Sequence, residues 1–78
     1  MISKWIEFKD WGDSDSGKTR IWGVVSKDTP PVKLGEIKWF SRWRKYAFFP
    51  CTDTVFEEEC LRDISFFVEQ VTREHRAK

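Results

Sequence analysis

The chain has 78 residues, with 14 basic and 13 acidic side chains and a formal net charge of +1 at pH 7. This length predicts one small domain over residues 1–78, and its 13 aromatic rings, five of them Trp, supply the large buried areas that such a domain needs. The composition excludes a disordered tail, and the near-neutral charge excludes a protein that is basic over its whole surface.

Residues 2–49 predict three or four β-strands joined by short turns. The strand patterns cover residues 2–8, 19–26, 32–40 and 44–49. A loop rich in Gly, Asp and Ser at 10–17 predicts the first connection. Gly35, inside the third strand, predicts a bulge or a close approach of neighbouring atoms. Short turns between successive strands favour an antiparallel meander.

The C-terminal part predicts one amphipathic helix at about residues 55–74. Apolar residues recur there at steps of three and four: Cys60, Leu61, Ile64, Phe67, Val68 and Val71. Thr54 and Glu57 have the spacing of a capping box, although the helix could instead begin near Glu57 or Glu58. We expect Leu61, Ile64 and Val68 to pack on the sheet. The predicted fold class is α+β, with the helix on one face of the meander.

The sequence offers little support for catalysis or for a bound cofactor. Cys51, Cys60 and His75 are too few ligands for a structural zinc site, so no metal is expected. Both cysteines are predicted to be reduced thiols, with Cys60 in the core. Gly12 and Gly17 lie among acids, which disfavours a phosphate-binding loop. We therefore expect no enzyme activity and no cofactor.

Localisation is predicted from segments that the sequence lacks. No apolar run approaches the roughly 20 residues of a membrane span, and the N-terminal residues do not form a signal peptide. The sequence therefore predicts a cytoplasmic protein with no membrane partner.

Basic and aromatic residues alternate in the segment 38–46, around the predicted turn between the third and fourth strands. Cations bind phosphates and aromatic faces stack on bases, so this segment predicts binding of DNA or RNA. The expected contact residues are Lys38, Arg42, Trp43, Arg44 and Lys45. Alternation places Trp39 and Phe40 on opposite faces of the sheet, so these aromatics cannot all lie in one core.

Two other functions remain open from the sequence. In a protein-interaction module, the anchors would be the aromatics predicted to be exposed, namely Trp11, Trp22, Trp43 and Phe66. Its partner would be a host or phage protein or a second copy of the chain, and the acidic segment 53–63 could mimic nucleic acid. In a small-molecule binder, Trp rings would clamp a nucleotide.

Three blocks carry a resemblance to known proteins: residues 34–40 (LGEIKWF), 43–50 (WRKYAFFP) and 60–64 (CLRDI). In these blocks the chain resembles small uncharacterised proteins of bacteriophages and prophages. The resemblance covers the C-terminal two-thirds of the chain and implies a phage or prophage origin and the host cytoplasm as the location. It implies no activity, and an inhibitor of a host or defence protein is one role compatible with it.

Overall fold

The computed structural model describes residues 5–77 as a four-stranded antiparallel sheet followed by one helix. The elements are β1 (Ile6–Asp13), β2 (Arg20–Ser26), β3 (Lys33–Phe40), β4 (Lys45–Pro50) and α1 (Glu58–Arg76). The strands are adjacent in chain order, so the predicted α+β meander with one C-terminal helix is confirmed. Residues 2–4 of the predicted first strand lie outside the described residues.

The first strand lies further along the chain than predicted. It continues to Asp13, so the loop prediction is wrong for its first half, and Trp11 lies in a strand. Polar residues are accommodated there because the Arg20 guanidinium bonds to Asp10 at 2.8 Å and to Asp13 at 3.4 Å across the two strands. The pKa of Asp10 is lowered by the hydrogen bond from the Gly12 amide and then by Arg20.

Gly35 marks both a bulge and a close approach, as predicted. Val24 pairs with Gly35 but Val25 pairs with Lys33, so β3 has one extra residue at this point. A Cβ on Gly35 would lie 2.6 Å from the Phe48 ring and 2.6 Å from the Phe49 carbonyl oxygen. A side chain at this position would therefore collide with β4.

The core lies between one sheet face and α1. Its buried apolar side chains come from all four strands and from the helix: Ile6, Val24, Ile37, Tyr46, Cys60, Ile64 and Val71. The prediction that Leu61 packs on the sheet is wrong, because this side chain is 51% exposed. The buried stripe runs through Cys60, Ile64 and Val71, and Leu61 is turned about 100° from Cys60 on the helix.

The helix begins at the later of the two predicted positions. Glu57 is the N-cap, and its carboxylate accepts hydrogen bonds from the amides of Glu59 (3.0 Å) and Cys60 (2.7 Å). The capping box is wrong, because the Thr54 hydroxyl donates to the Cys51 carbonyl at 2.8 Å instead.

We expect the stability supplied by the Glu57 cap to depend on pH. The hydrogen bonds from the amides of Glu59 and Cys60 lower the pKa of Glu57 below its ordinary value of 4.5. A group whose pKa is lower in the folded state stabilises the fold above its unfolded pKa, and this stabilisation disappears as pH falls through the folded pKa. Glu57→Gln should therefore destabilise the protein at neutral pH and have a smaller effect in acid.

Urea unfolding of the unsubstituted protein and of Glu57→Gln, at neutral pH and well below pH 4.5, measures how the loss of stability depends on pH. Glu58→Gln is the matched control, since Glu58 is a first-turn acid that is not the cap. An equal loss of stability for Glu57→Gln at both pH values would contradict the prediction.

Candidate nucleic-acid interface

One end of the molecule brings the β3–β4 turn and the end of the helix together. The Arg76 guanidinium donates to the Arg44 carbonyl at 2.9 Å, 32 residues away in sequence. We call the turn and first residue of β4 (41–45) together with Arg76 the hairpin end. The acidic first turn of α1, with Glu58 and Glu59, lies at the opposite end of the 19-residue helix. The first-turn acids of α1 and the cations of the hairpin end therefore lie at opposite ends of the helix.

The turn itself is held by two overlapping hydrogen bonds. The amide of Trp43 donates to the Phe40 carbonyl and the amide of Arg44 donates to the Ser41 carbonyl, both at 3.1 Å. Arg44 has φ = +53°, in the left-handed region that favours glycine, and this conformation allows Lys45 to pair with Phe40. The chain therefore holds an arginine where glycine would be less strained.

The turn brings four of the five predicted nucleic-acid contacts together. Arg42, Trp43, Arg44 and Lys45 are all exposed and consecutive around the turn. Trp43 is 62% exposed, and its ring meets that of Phe40 almost at a right angle, with the centroids 4.7 Å apart. Lys38 lies apart from them on β3. Its ammonium is 3.6 Å from the Glu36 carboxylate and lies over the Phe49 ring.

The hairpin end carries a group of cations that have no carboxylate partner among residues 5–77. Several basic side chains elsewhere are paired with carboxylates, as in Arg73–Glu69 at 2.7 Å on the helix and Lys33–Glu36 at 3.2 Å on the sheet. Within residues 5–77, the side chains of Arg42, Arg44 and Lys45 form no ion pair. Their charges therefore remain available to an anionic partner.

The other aromatics predicted to be exposed divide into two groups. Phe66 is 57% exposed on the outer face of α1, and Trp11 is 45% exposed with its indole lying across Gly23. The prediction for Trp22 is wrong. Its half-buried ring packs edge-on against Tyr46 and Phe67, because Trp22 shares the helix-facing side of β2 with the fully buried Val24.

The cysteines form no reactive arrangement in the described part of the chain. Both are free thiols, and Cys51 is half-buried. Cys60 is buried in the core, as predicted. Burial raises the pKa of the Cys60 thiol, which makes it a weaker nucleophile. No group of His, Cys, Asp and Glu among the described residues could hold a metal ion. No helix within residues 5–77 has both the length and the apolar composition needed to cross a membrane.

Comparison with known proteins places the chain among phage proteins. No family model matches it, and no solved structure matches it. It is 32% identical over 53 residues to an uncharacterised 9.3 kDa protein of Acholeplasma phage L2, a match that covers 68% of this chain and 67% of the phage protein. The chain therefore belongs to the same family of small phage proteins as this 9.3 kDa protein.

Proposed function

We propose that this small phage protein binds nucleic acid through the hairpin end. The observation that carries the proposal is the group of three cations, Arg42, Arg44 and Lys45, which flank the exposed Trp43 in sequence and form no ion pair with any residue from 5 to 77. Cations that have no carboxylate partner can replace the counterions of a phosphate backbone without first breaking an ion pair. When these cations bind phosphates, counterions are released from the nucleic acid and the affinity increases. This contribution to the affinity falls as the salt concentration rises.

The Trp43 ring and the charge distribution determine how the protein would be oriented on a nucleic acid. The perpendicular contact with Phe40 orients the Trp43 indole, which can stack on a base. Arg76, held against the Arg44 carbonyl, adds a fourth cation at the same end. The acidic start of α1 is repelled by phosphates, so the molecule would approach a polyanion with the hairpin end first.

The conformation of Arg44 favours a role for its side chain beyond folding. A residue other than glycine in the left-handed region costs about 1–2 kcal/mol. The Arg44 side chain forms no ion pair among the described residues that would offset this cost. Strained residues of this kind are concentrated at functional sites, and here the strained residue is the last of the turn and carries an exposed guanidinium.

We expect the double substitution Arg42→Ala with Arg44→Gly to weaken nucleic-acid binding on the order of tenfold and to flatten its salt dependence. The slope of log K against log salt should fall by roughly one for each phosphate that the variant no longer binds. Glycine relieves the backbone at position 44, so weaker binding cannot be attributed to unfolding. Fluorescence anisotropy with labelled single-stranded and duplex DNA and RNA over a range of salt measures both quantities.

Arg62→Ala is the matched control. It removes one arginine, against two in the double variant, from the outer face of α1, beside Glu58 and far from the turn, and should leave affinity and slope unchanged. If the unsubstituted protein binds none of these nucleic acids at micromolar concentration in a salt-sensitive way, the proposal is wrong. That result would favour a second candidate, a protein interaction at the outer face of α1, which the exposed Phe66 ring supports.

A further inference from the structure

The sheet opens between β2 and β3 beside the hairpin end. The two strands are paired only as far as Trp22 and Ile37, although β2 begins at Arg20 and β3 continues to Phe40. At this end the Arg20 amide donates to the Tyr46 hydroxyl at 3.2 Å rather than to β3. The sheet thus divides into two hairpins, and their turns, 14–19 and 41–44, lie on either side of a cleft.

The cleft is an open depression that is large enough for a small ligand. Its volume is about 580 Å³, and ligand pockets are typically about 300–1,000 Å³. One wall is formed by the rings of Trp39 and His75, whose centroids are 4.7 Å apart. Lys18 and Thr19 line it from the first hairpin, and Ser41 lines it from the second. The cleft is therefore built from both hairpins and from the end of α1.

The lining offers an aromatic wall, a cation and hydroxyls. The loop hydroxyls are ordered by hydrogen bonds, with Thr19 donating to the Ser14 hydroxyl at 2.8 Å and the Lys18 amide donating to Ser16 at 3.2 Å. The Lys18 ammonium has no carboxylate partner in the described part of the chain, whereas that of Lys38 lies beside Glu36. Asp15 is the acid on the lining and opposes an anion.

These groups match the three parts of a nucleotide. An aromatic ring can stack on or pack against a base, an ammonium binds a phosphate, and hydroxyls bond to sugar oxygens. Ser41 lines the cleft and Arg42 follows it in the turn, so the cleft adjoins the proposed contact surface. A base that is paired in a duplex cannot enter a cleft of this kind without leaving its partner.

We infer that the cleft receives one unpaired nucleotide of the nucleic acid bound at the hairpin end, so that the protein prefers single strands to duplexes. This inference rests on the proposed function. It assigns Lys18 to the phosphate, the Trp39 and His75 rings to the base, and Ser41 to the sugar.

The nucleotide site is tested with AMP as the probe, by following backbone amide signals in NMR spectra. Addition of AMP should shift the amide signals of Lys18, Thr19 and Ser41. Lys18→Ala should weaken AMP binding severalfold, and Asp15→Asn should strengthen it, because a repulsive charge is removed. Arg62→Ala, near the other end of the helix, should change neither the AMP affinity nor the amide signals that shift when AMP is added. Shifts confined to residues 42–45, or no shifts, would overturn the assignment.

The strand preference is tested with oligonucleotides of equal length. A single strand should bind on the order of tenfold more tightly than the duplex at equal salt, and AMP should compete with it better than inorganic phosphate at equal concentration. If binding depends on Arg42 and Arg44 but Lys18→Ala behaves like Arg62→Ala, the cleft inference fails and the proposed function stands. If no oligonucleotide binds, the proposed function itself fails.

Discussion

Ile64→Ala should lower the free energy of unfolding by about 2–5 kcal/mol, whereas Leu61→Ala should lower it by less than about 1 kcal/mol. The two substitutions remove equal numbers of carbon atoms from the same helix. Ile64 is 4% exposed within the core, and Leu61 is 51% exposed. Only the first substitution leaves a cavity, and leucine and isoleucine differ little in helix propensity, so the difference between the two free energies of unfolding measures mainly burial.

Urea unfolding at one pH gives both free energies on the same scale. The free energy of unfolding of small domains is at most about 5–15 kcal/mol. Ile64→Ala should therefore shift the midpoint of unfolding to a much lower urea concentration. Leu61→Ala also tests whether anything covers this side chain in solution. An equal cost for the two substitutions would mean that Leu61 is buried and that α1 lies differently on the sheet.

Local patterns predicted the elements of this fold but not how they meet. Leu61 and Thr72 are 11 residues apart, about three helical turns, so they lie on the same flank of α1. Thr72 is buried there because its hydroxyl accepts the hydrogen bond of the Tyr46 amide on β4, and Leu61 is not covered. Contact with β4 decides the burial of each residue on this flank, and a periodic pattern in the helix contains no information about that contact.

The candidate site was predictable to a similar extent. The turn and its cations follow from residues 38–46, since alternation and short-range geometry define a hairpin. Trp22 was misplaced because β2 has apolar residues on both faces, and the pattern does not show which face the helix covers. The contact of Arg76 with Arg44 and that of Tyr46 with Arg20 join residues far apart in sequence, so the full hairpin end and the cleft could not be predicted.

The second large effect is expected at Gly35, where alanine should destabilise the protein by about 1–3 kcal/mol or more. The added Cβ would lie 2.6 Å from the Phe49 carbonyl oxygen, which belongs to the backbone of β4. That oxygen cannot move away without disturbing the pairing of Glu36 with Phe49. The same Cβ meets the Phe48 ring, which packs against the core.

Gly23→Ala is the matched comparison, because its Cβ would also collide with a neighbour but with one that can move. The collision is with the Trp11 indole, the end of a side chain that is 45% exposed. The ring can move aside, at the expense of part of its packing on Gly23 and of its interaction with the Lys33 ammonium, 5.2 Å from the ring centroid. We expect a smaller cost than for Gly35→Ala, since the end of the Trp11 side chain can move whereas the Phe49 backbone cannot.

Urea unfolding should therefore rank Gly35→Ala well below Gly23→Ala in stability, and NMR should distinguish the structural responses. In Gly23→Ala the Trp11 indole N–H signal should move while those of the packed Trp22 and Trp39 stay in place. In Gly35→Ala, amide signals along β3 and β4 should shift, because the strands must separate to admit the methyl group. Equal stability of the two variants would show that β4 does not approach Gly35 as closely as 2.6 Å.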